Sequence, residues 1–356
     1  MSSRLKKSVL VIHNAVETKQ TPDKSTLESV AGVLDEVKAV ADALDELEIN
    51  FQIKSIEKIE QLPSILQRSG SEIVFNLVEE LPCSIIDACL VPAICLAHKK
   101  ACTGNQTPAL LLSQNKWQTK AVLAASNVLC PQGVVIHIGQ KIESAEGGPS
   151  GRYIVKPALA DAGEGIDNDS VVDVPGPALQ KAVDKIHTQF GQSAIVEQFI
   201  SGREINVSLL ERNGSVEVMP LAEIDFGRFG PDRPRIVGYS AKWLPNSFEY
   251  QNTPRVIPAA ISEKAADRIR NCAILTWQVI GCSGYARIDF RLDRNEQPFV
   301  IEVNPNPDIS PDAGFAAAIN AAGIAYSQFI QIALDNAINN KSYPYYRYKL
   351  SEVINV

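Results

Sequence analysis

No stretch of about 18 apolar residues occurs anywhere in the chain, so no hydrophobic transmembrane helix is expected. The opening MSSRLKKSVLVIHN carries too short an apolar run for a signal peptide, and a cytoplasmic protein is expected. No CxxC pair occurs among the seven cysteines at 83, 89, 95, 102, 130, 272 and 282. That odd, scattered set predicts reduced, mostly buried thiols rather than a disulfide framework or a zinc site. Only four histidines are present, His13, His98, His137 and His187, and their scatter offers no obvious nucleophile or base. An excess of positive charge is also missing. The net charge of −7 argues against nucleic acid as a partner. There is no internal repeat and no Walker motif.

What remains is an ordinary globular composition, 45% hydrophobic and 21% charged over 356 residues. That length exceeds what one core usually supports, so two or three domains or subdomains are expected. Ser8 to Ile12 reads as a buried strand, followed by an amphipathic helix over 26–47. Its apolar stripe is Leu27, Val30, Leu34, Val37, Ala41 and Leu44. Phe51 to Ile53, a short helix near Ile65 and the apolar run Ile73 to Val78 continue a βαβ alternation, which predicts a parallel sheet. Residues 81–98 read as helical, and 107–119 passes into a helix that carries Lys116 and Trp117. Arg152 to Lys156 reads as a strand leading into the glycine-containing loop 160–165, whose backbone can turn toward an anion. A helix through Phe190, strands over 193–199 and 204–210, and a helix over 260–279 follow. Residues 225–255 lack periodicity, as binding flaps do. After a further helix over 317–339 comes the tyrosine-rich tail, expected to be an aromatic surface patch.

The most informative stretch is GYARIDFRLDRNEQPFVIEVNPNP, from Gly284 to Pro307. Tyr285, Arg287, Asp289 and Arg291 alternate with Ala286, Ile288, Phe290 and Leu292, the period of a strand. DRNEQ turns the chain, and Phe299, Ile301 and Val303 share one face of the returning strand while Glu302 and Asn304 share the other. A hairpin would gather Arg287, Asp289, Glu302 and Asn304 on one side. Two carboxylates and an amide oxygen suit Mg²⁺. A solvated sheet face with an Arg–carboxylate pair would show the same pattern.

Six motifs stand in order: Asn115-Lys116, IVKPA, VEQFISGREINV, VGYSAKW, RIDF and IEVNPNP. This order resembles the ATP-grasp ligases of the D-alanine–D-alanine ligase-like branch over about residues 70 to 325. The resemblance implies an α/β ATP-grasp fold with an N-terminal parallel-sheet pre-grasp domain (1–113), a small central lid (114–200), a C-terminal α+β subdomain (201–340) and a tail (341–356). By resemblance, Lys116, Lys156 and the loop at Gly163 would hold ATP phosphates, and Glu197 would meet the adenine amino group. Gln198, Phe199 and Ile200 would read the ring edge, and Glu204 the ribose. Lys242 would close over the γ-phosphate, Asp289, Glu302 and Asn304 would hold two Mg²⁺ ions, and Arg287 would stabilise the transferring phosphoryl group. The implied reaction needs no nucleophilic side chain. A substrate oxygen takes the γ-phosphoryl group and releases ADP; an amine then displaces phosphate and forms a C–N bond.

The departures concern the substrates. Where the dipeptide ligases carry a His-Gly stretch after the third strand, this chain reads Asn76-Leu77-Val78-Glu79-Glu80-Leu81. Where they carry a Ser-Ser-containing loop, it has Asp161-Ala162-Gly163-Glu164-Gly165. Asp308 replaces a glycine, and Ala313 replaces the serine that grips the acceptor carboxylate. Asp308 is therefore a candidate substrate residue. The texture resembles the ligases of mycosporine-like amino acid biosynthesis, which join serine, threonine or glycine to mycosporine-glycine. A dipeptide-type carboxylate–amine ligase with altered specificity and a non-catalytic nucleotide-binding protein are the alternatives. Small molecules are the expected partners, with neither nucleic acid nor membrane, and the branch suggests a homodimer.

Overall fold

The computed structural model describes residues 8–15, 24–82, 84–142, 150–159 and 163–340, with backbone only for 24–31 and 340. Cys83, the loop residues Ala160, Asp161 and Ala162, the side chains of Leu27 and Val30, and the tyrosine-rich tail lie outside the described residues.

Three sheets follow one another along the chain. The first contains β1 (Val9–Asn14), α1 (Lys24–Glu46), β2 (Phe51–Ile56), α2 (Leu62–Arg68), β3 (Ile73–Leu77), α3 (Val91–Ala97) and β4 (Ala101–Cys102). Its strands run parallel in the order β2-β1-β3-β4, as the βαβ alternation predicts. β3 is buried on both faces, as expected where helices cover both sides of a parallel sheet. Leu10, Ile12 and Val74 pack toward α2 and α3, while Val9, Val11 and Phe75 pack toward α1.

The stripe expected on α1 is rotated. Val33, Val37, Val40, Ala43 and Leu44 are buried, whereas Leu34 is 48% exposed. Val33 and Leu34 sit about 100° apart on the helix, and α1 packs against both the sheet and a C-terminal helix, which selects Val33. The helix expected over 81–98 is only a 3₁₀ turn at Ala88–Leu90 followed by α3. Pro92 lacks an N–H and so occupies the first turn of α3, where none is needed.

α4 (Thr107–Gln114) and α5 (Lys116–Ala125) lead to the second sheet. It is formed by β5 (Gly133–Ile136), β6 (Gly151–Pro157), β7 (Val171–Val174) and β8 (Ala194–Gln198), antiparallel in the order β5-β8-β6-β7. α6 (Ala178–Phe190) lays Leu179, Val183 and Ile186 on Val155, Val172 and Val196. The stretch 107–119 passes into the expected helix carrying Lys116 and Trp117, α5, which is set off from α4 at Asn115. Its backbone is extended (φ −97°, ψ 98°), and its side chain accepts from the Trp117 and Gln118 N–H groups.

The third sheet holds β9 (Arg203–Arg212), β10 (Ser215–Val218) and β11 (Ala222–Ile224). α7 (Tyr239–Trp243), α8 (Phe248–Gln251), β12 (Arg255–Val256) and α9 (Glu263–Ile280) follow. β13 (Tyr285–Leu292), β14 (Pro298–Asn304), α10 (Gly314–Ala321) and α11 (Tyr326–Asn340) complete it. The strand order is β12-β11-β9-β13-β14, with β10 also on β9. Ala286, Ile288, Phe290 and Leu292 point under α9, against Ile269, Ala273 and Trp277. Truncating Phe290 or Trp277 to alanine would cost about 3–5 kcal/mol at such a site.

On β14 the register shifts between Asp289 and Phe290, where Val300 rather than Ile301 pairs with Phe290. Val300 and Val303 are therefore buried, while Phe299 and Ile301, expected on the core face, are half-buried. A bulge adds one residue, so the faces exchange on either side of it. The helix expected over 317–339 is two helices bent by 103°. Gly323, at φ +75°, makes the turn between them. Among the described residues, no single helix is long and apolar enough to cross a membrane. The flap over 225–255 is folded: Phe229 meets Phe226 and Phe248 at 5.1 and 5.5 Å, and Arg233 stacks over Phe248 at 4.2 Å.

Candidate active site

The ends of β13 and β14 are fixed to the first unit by a buried amide. Asn105 donates to the Tyr285 carbonyl at 2.7 Å and the Pro305 carbonyl at 2.6 Å, and accepts from the Ser283 N–H at 2.7 Å. From those anchored ends the antiparallel register pairs Arg287 with Asn304 and Asp289 with Glu302. The four side chains expected on one side of the hairpin are thus cross-strand neighbours. Arg287 grips Asp289 through two hydrogen bonds, 2.8 and 2.9 Å. The Asn206 and Asn304 amides donate to the same carboxylate at 2.8 and 3.1 Å. Burial opposes the Arg287 charge, but Asp289 and Glu302 more than compensate and raise its pKa.

Opposite this hairpin stands α5. Capping by Asn115 starts the helix at Lys116, and Lys120 follows one turn later on the same side. Both lysines are buried, at 6% and 7% exposure. Lys116 Nζ lies 3.2 Å from Glu302 Oε1. Lys120 pairs with Glu197 Oε2, and Lys156 Nζ from β6 reaches Glu197 Oε1 at 2.6 Å. Burial would raise the Glu302 pKa, yet Lys116, Lys242 and Lys156 outweigh it and hold the group down at about 2. Glu197 is likewise depressed, because Lys120 and Lys156 overcome its burial. Lys120 is pushed down to about 8, chiefly by burial, with Glu197 opposing and Lys156 assisting.

The predicted residues of β8 and β9 fall into two groups. Glu197 is 2% exposed and Gln198 faces out. The N–H groups of Gln198 and Phe199 are already bonded to the Gln132 and Arg152 carbonyls, at 2.8 and 2.9 Å. Glu204 is buried beside Arg291, whose Nη1 reaches Glu204 Oε2 at 3.1 Å. Burial raises the Glu204 pKa and Arg291 only partly offsets it. Arg291 also donates to the Ile200, Gly202 and Arg235 carbonyls, tying the β8–β9 turn and the flap to β13. Only glycine fits at 202: φ is +143°, and a Cβ would stand 2.0 Å from the Leu292 carbonyl oxygen.

Gly163 sits at φ +77° against the backbone of Gly238, and the Tyr239 N–H donates to the Ile166 carbonyl at 3.0 Å. The loop after β6 therefore abuts the helix that carries Lys242. Lys242 is half-buried on α7, near enough for its charge to act on both Glu302 and Glu204.

Asp308 lies just past β14, accepting from the Ser310 N–H at 2.8 Å and hydroxyl at 2.6 Å. Behind it, buried Glu36 of α1 accepts from the Ile309 N–H at 2.9 Å. Burial raises the Glu36 pKa well above the usual carboxylate range, and Glu79 and Asp308 add to it. Among the described residues the buried Tyr326 hydroxyl has no hydrogen-bond partner, and Arg255 donates to the Asp312 carbonyl at 3.3 Å.

Lys120, Asn206, Arg291 and Glu36 escaped the sequence reading. Lys120 and Arg291 had a signal, the four-residue spacing from Lys116 and the alternation with Asp289. Asn206 and Glu36 had none, because they meet Asp289 and Ile309 across 83 and 273 residues of chain.

Among the described residues no three His, Cys, Asp or Glu side chains form a metal-binding group, and the metal set expected by resemblance would rest on Asp289, Glu302 and the Asn304 amide. An all-oxygen donor set with an ionised Glu302 fits Mg²⁺, which commonly takes one or two carboxylates and fills its shell with phosphate and water.

The family described as the D-ala D-ala ligase C-terminus matches residues 138–335, more than half of the chain. The chain belongs to the D-Ala–D-Ala ligase C-terminal family. It is 34% identical over 275 residues to an uncharacterised protein of Sinorhizobium fredii, covering 77% of each chain. It is 27% identical over 229 residues to the D-alanine–D-alanine ligase of Nitrosomonas europaea, covering 64% of this chain and 68% of that one. The D-alanine–D-alanine ligase of Bacillus anthracis, solved with ATP, superposes with a TM-score of 0.73 at 14% identity. That superposition covers 95% of this chain and all of the Bacillus chain, which shows a shared ATP-grasp fold. Family membership makes this an ATP-dependent ligase of the D-Ala–D-Ala ligase type, a class that in general requires ATP and Mg²⁺ and acts on small molecules.

Proposed function

We propose that the protein joins an amino-acid amine to the substrate carbon whose oxygen ATP has phosphorylated, forming a C–N bond and releasing ADP and phosphate. The observation that carries this reading is the cross-strand register that sets Arg287 and Asp289 against Asn304 and Glu302, directly opposite the lysines of α5. Lys116, Lys156 and the Gly163 loop bind the phosphates, while Glu197 and the Gln198–Ile200 segment receive the adenine. Glu204, fixed by Arg291, takes the ribose hydroxyls. Asp289, Glu302 and Asn304 hold Mg²⁺, two ions by resemblance, which when bound neutralises phosphate charge. Arg287 is aligned by its bidentate bond to Asp289 and stabilises charge on the transferring phosphoryl group. Lys242, carried on the flap, covers the γ-phosphate and excludes water. The chemistry is then positioning and charge neutralisation. The substrate oxygen attacks phosphorus as ADP leaves; the amine nitrogen displaces phosphate and gives up a proton.

The finer reading is that the activated oxygen is the ring carbonyl of mycosporine-glycine, that the amine is serine, threonine or glycine, and that the product is an imine. It is supported by the departures from the dipeptide-ligase pattern at 76–81, at 161–165 and at Asp308 and Ala313. ADP release would be followed with MgATP and a panel of amino acids, with and without mycosporine-glycine, and product masses recorded. Turnover only with the cyclohexenone is expected. Turnover with amino-acid pairs alone would make the protein a dipeptide-type ligase, and nucleotide binding without amine-dependent ADP release would make it a non-catalytic binder.

A further inference from the structure

The second lysine of α5 has no task in the site as described so far. Lys120 and Lys156 approach Glu197 from opposite sides, one on each carboxylate oxygen. All three residues are nearly inaccessible: Glu197 is 2% exposed, Lys156 6% and Lys120 7%. Two cations for one buried anion is an excess of one positive charge, and a buried unpaired charge is costly. A phosphate group arriving beside Lys156 would remove that excess. If Lys156 turned to the phosphate in the absence of Lys120, Glu197 would be left as a buried, unpaired carboxylate, a penalty of the same kind. With Lys120 in place Glu197 keeps a partner throughout.

We infer that Lys120 is a positioning residue that keeps Glu197 neutralised, so that Lys156 is free to leave it and bind the nucleotide phosphates. The inference rests on the nucleotide reading above. It goes beyond that reading by giving the two buried lysines separate tasks: Lys156 moves, and Lys120 stays. The groups that face Lys120 are Glu197 on β8, Lys156 on β6 and the Cys130 thiol before β5, which burial pushes up to about 12 and keeps protonated. Lys120 is therefore the group in this cluster that loses charge near pH 8, and its loss should hold Lys156 on Glu197.

The test separates phosphate affinity from base affinity by measuring dissociation constants for ADP and for adenosine by calorimetry. The proteins are the wild type, Lys120→Met, Lys120→Arg and the double variant Lys120→Met/Glu197→Gln. Lys120→Met should weaken ADP about tenfold or more relative to adenosine, an effect of about 1.4 kcal/mol on the ratio. In the double variant no carboxylate needs a partner, so the ADP-to-adenosine ratio should return toward the wild-type value whatever Glu197→Gln does to adenine itself. Lys120→Arg, which keeps the charge, should hold the ratio and extend it above pH 8, where the wild-type ratio falls. Equal weakening of ADP and adenosine, or no recovery in the double variant, would overturn the inference while leaving the ligase reading intact. Should Lys120→Met not fold, the same judgement falls to the pH dependence of the wild type against Lys120→Arg: identical profiles would overturn it. A wild type that binds neither ligand would overturn the nucleotide reading and this inference together.

Discussion

The two sides of the candidate site treat buried charge in opposite ways. On the side of α5 and the second sheet, every buried carboxylate meets a cation: Glu197 with Lys120 and Lys156, Glu302 with Lys116, Glu204 with Arg291. On the side of α1 and the loop after β14, Glu36 faces the like charges of Glu79 and Asp308, and the Tyr326 hydroxyl has no partner among the described residues. On the first side cations outnumber carboxylates by one, beside the proposed phosphate site. On the second, Arg255 and Arg287 act on Asp308, while Glu36 is held by a backbone N–H and by burial. Acceptor choice is proposed to belong to that side.

The largest effect should come from the cation-rich side. Glu302→Gln removes a carboxylate that three lysines hold ionised at about pH 2 and above, and Mg²⁺-dependent ADP release should fall about a thousandfold, in the range of losing a principal electrostatic contact. Circular dichroism should show an unchanged fold; retained turnover would remove Glu302 from the metal set. Arg287→Ala should lower kcat by about a hundredfold or more with ATP affinity little changed. Because it breaks a buried bidentate pair, it should also lower stability by about 3–5 kcal/mol, so rates must be normalised to folded protein. A loss confined to ATP affinity would contradict the role given to Arg287.

The second side should answer differently. Asp308→Gly should shift relative kcat/KM among amines by about tenfold while leaving the KM for ATP alone, since specificity changes of this size follow from single pocket groups. An unchanged amine profile would detach Asp308 from the acceptor. The smallest effect is on stability. The folded Glu36 carboxyl titrates above its unfolded value near 4.5, chiefly through burial. Its contribution is therefore complete below that value and is lost as pH rises through the folded pKa. Glu36→Gln should flatten this decline, and thermal unfolding from pH 4 to 8 should show the variant gaining on the wild type as pH increases. Parallel curves would show that Glu36 is not held neutral.

Much of this was legible in the chain alone. The alternation through Tyr285–Leu292, the return through Glu302 and the βαβ pattern of the first hundred residues are local, and local periodicity is what a sequence displays directly. Asn115 was legible as a residue but not as a cap, because a helix break depends on whether its orphan N–H groups find a side chain. The choice of Val33 over Leu34 and of Val300 over Ile301 followed from which neighbour packs against the element and from a bulge.

The order of motifs by itself pointed to the family and the reaction class, and strand alternation to the side of the hairpin on which the acids stand. Tertiary structure alone decided the partners: that Lys120 shares Glu197 with Lys156, that Asn206 supports Asp289, and that Glu36 meets Ile309 from the far end of the chain. The physical reason is range. Side-chain direction along a strand or helix repeats within a few residues, whereas the energy of a buried charge depends on whichever groups the fold brings within a few ångströms of it.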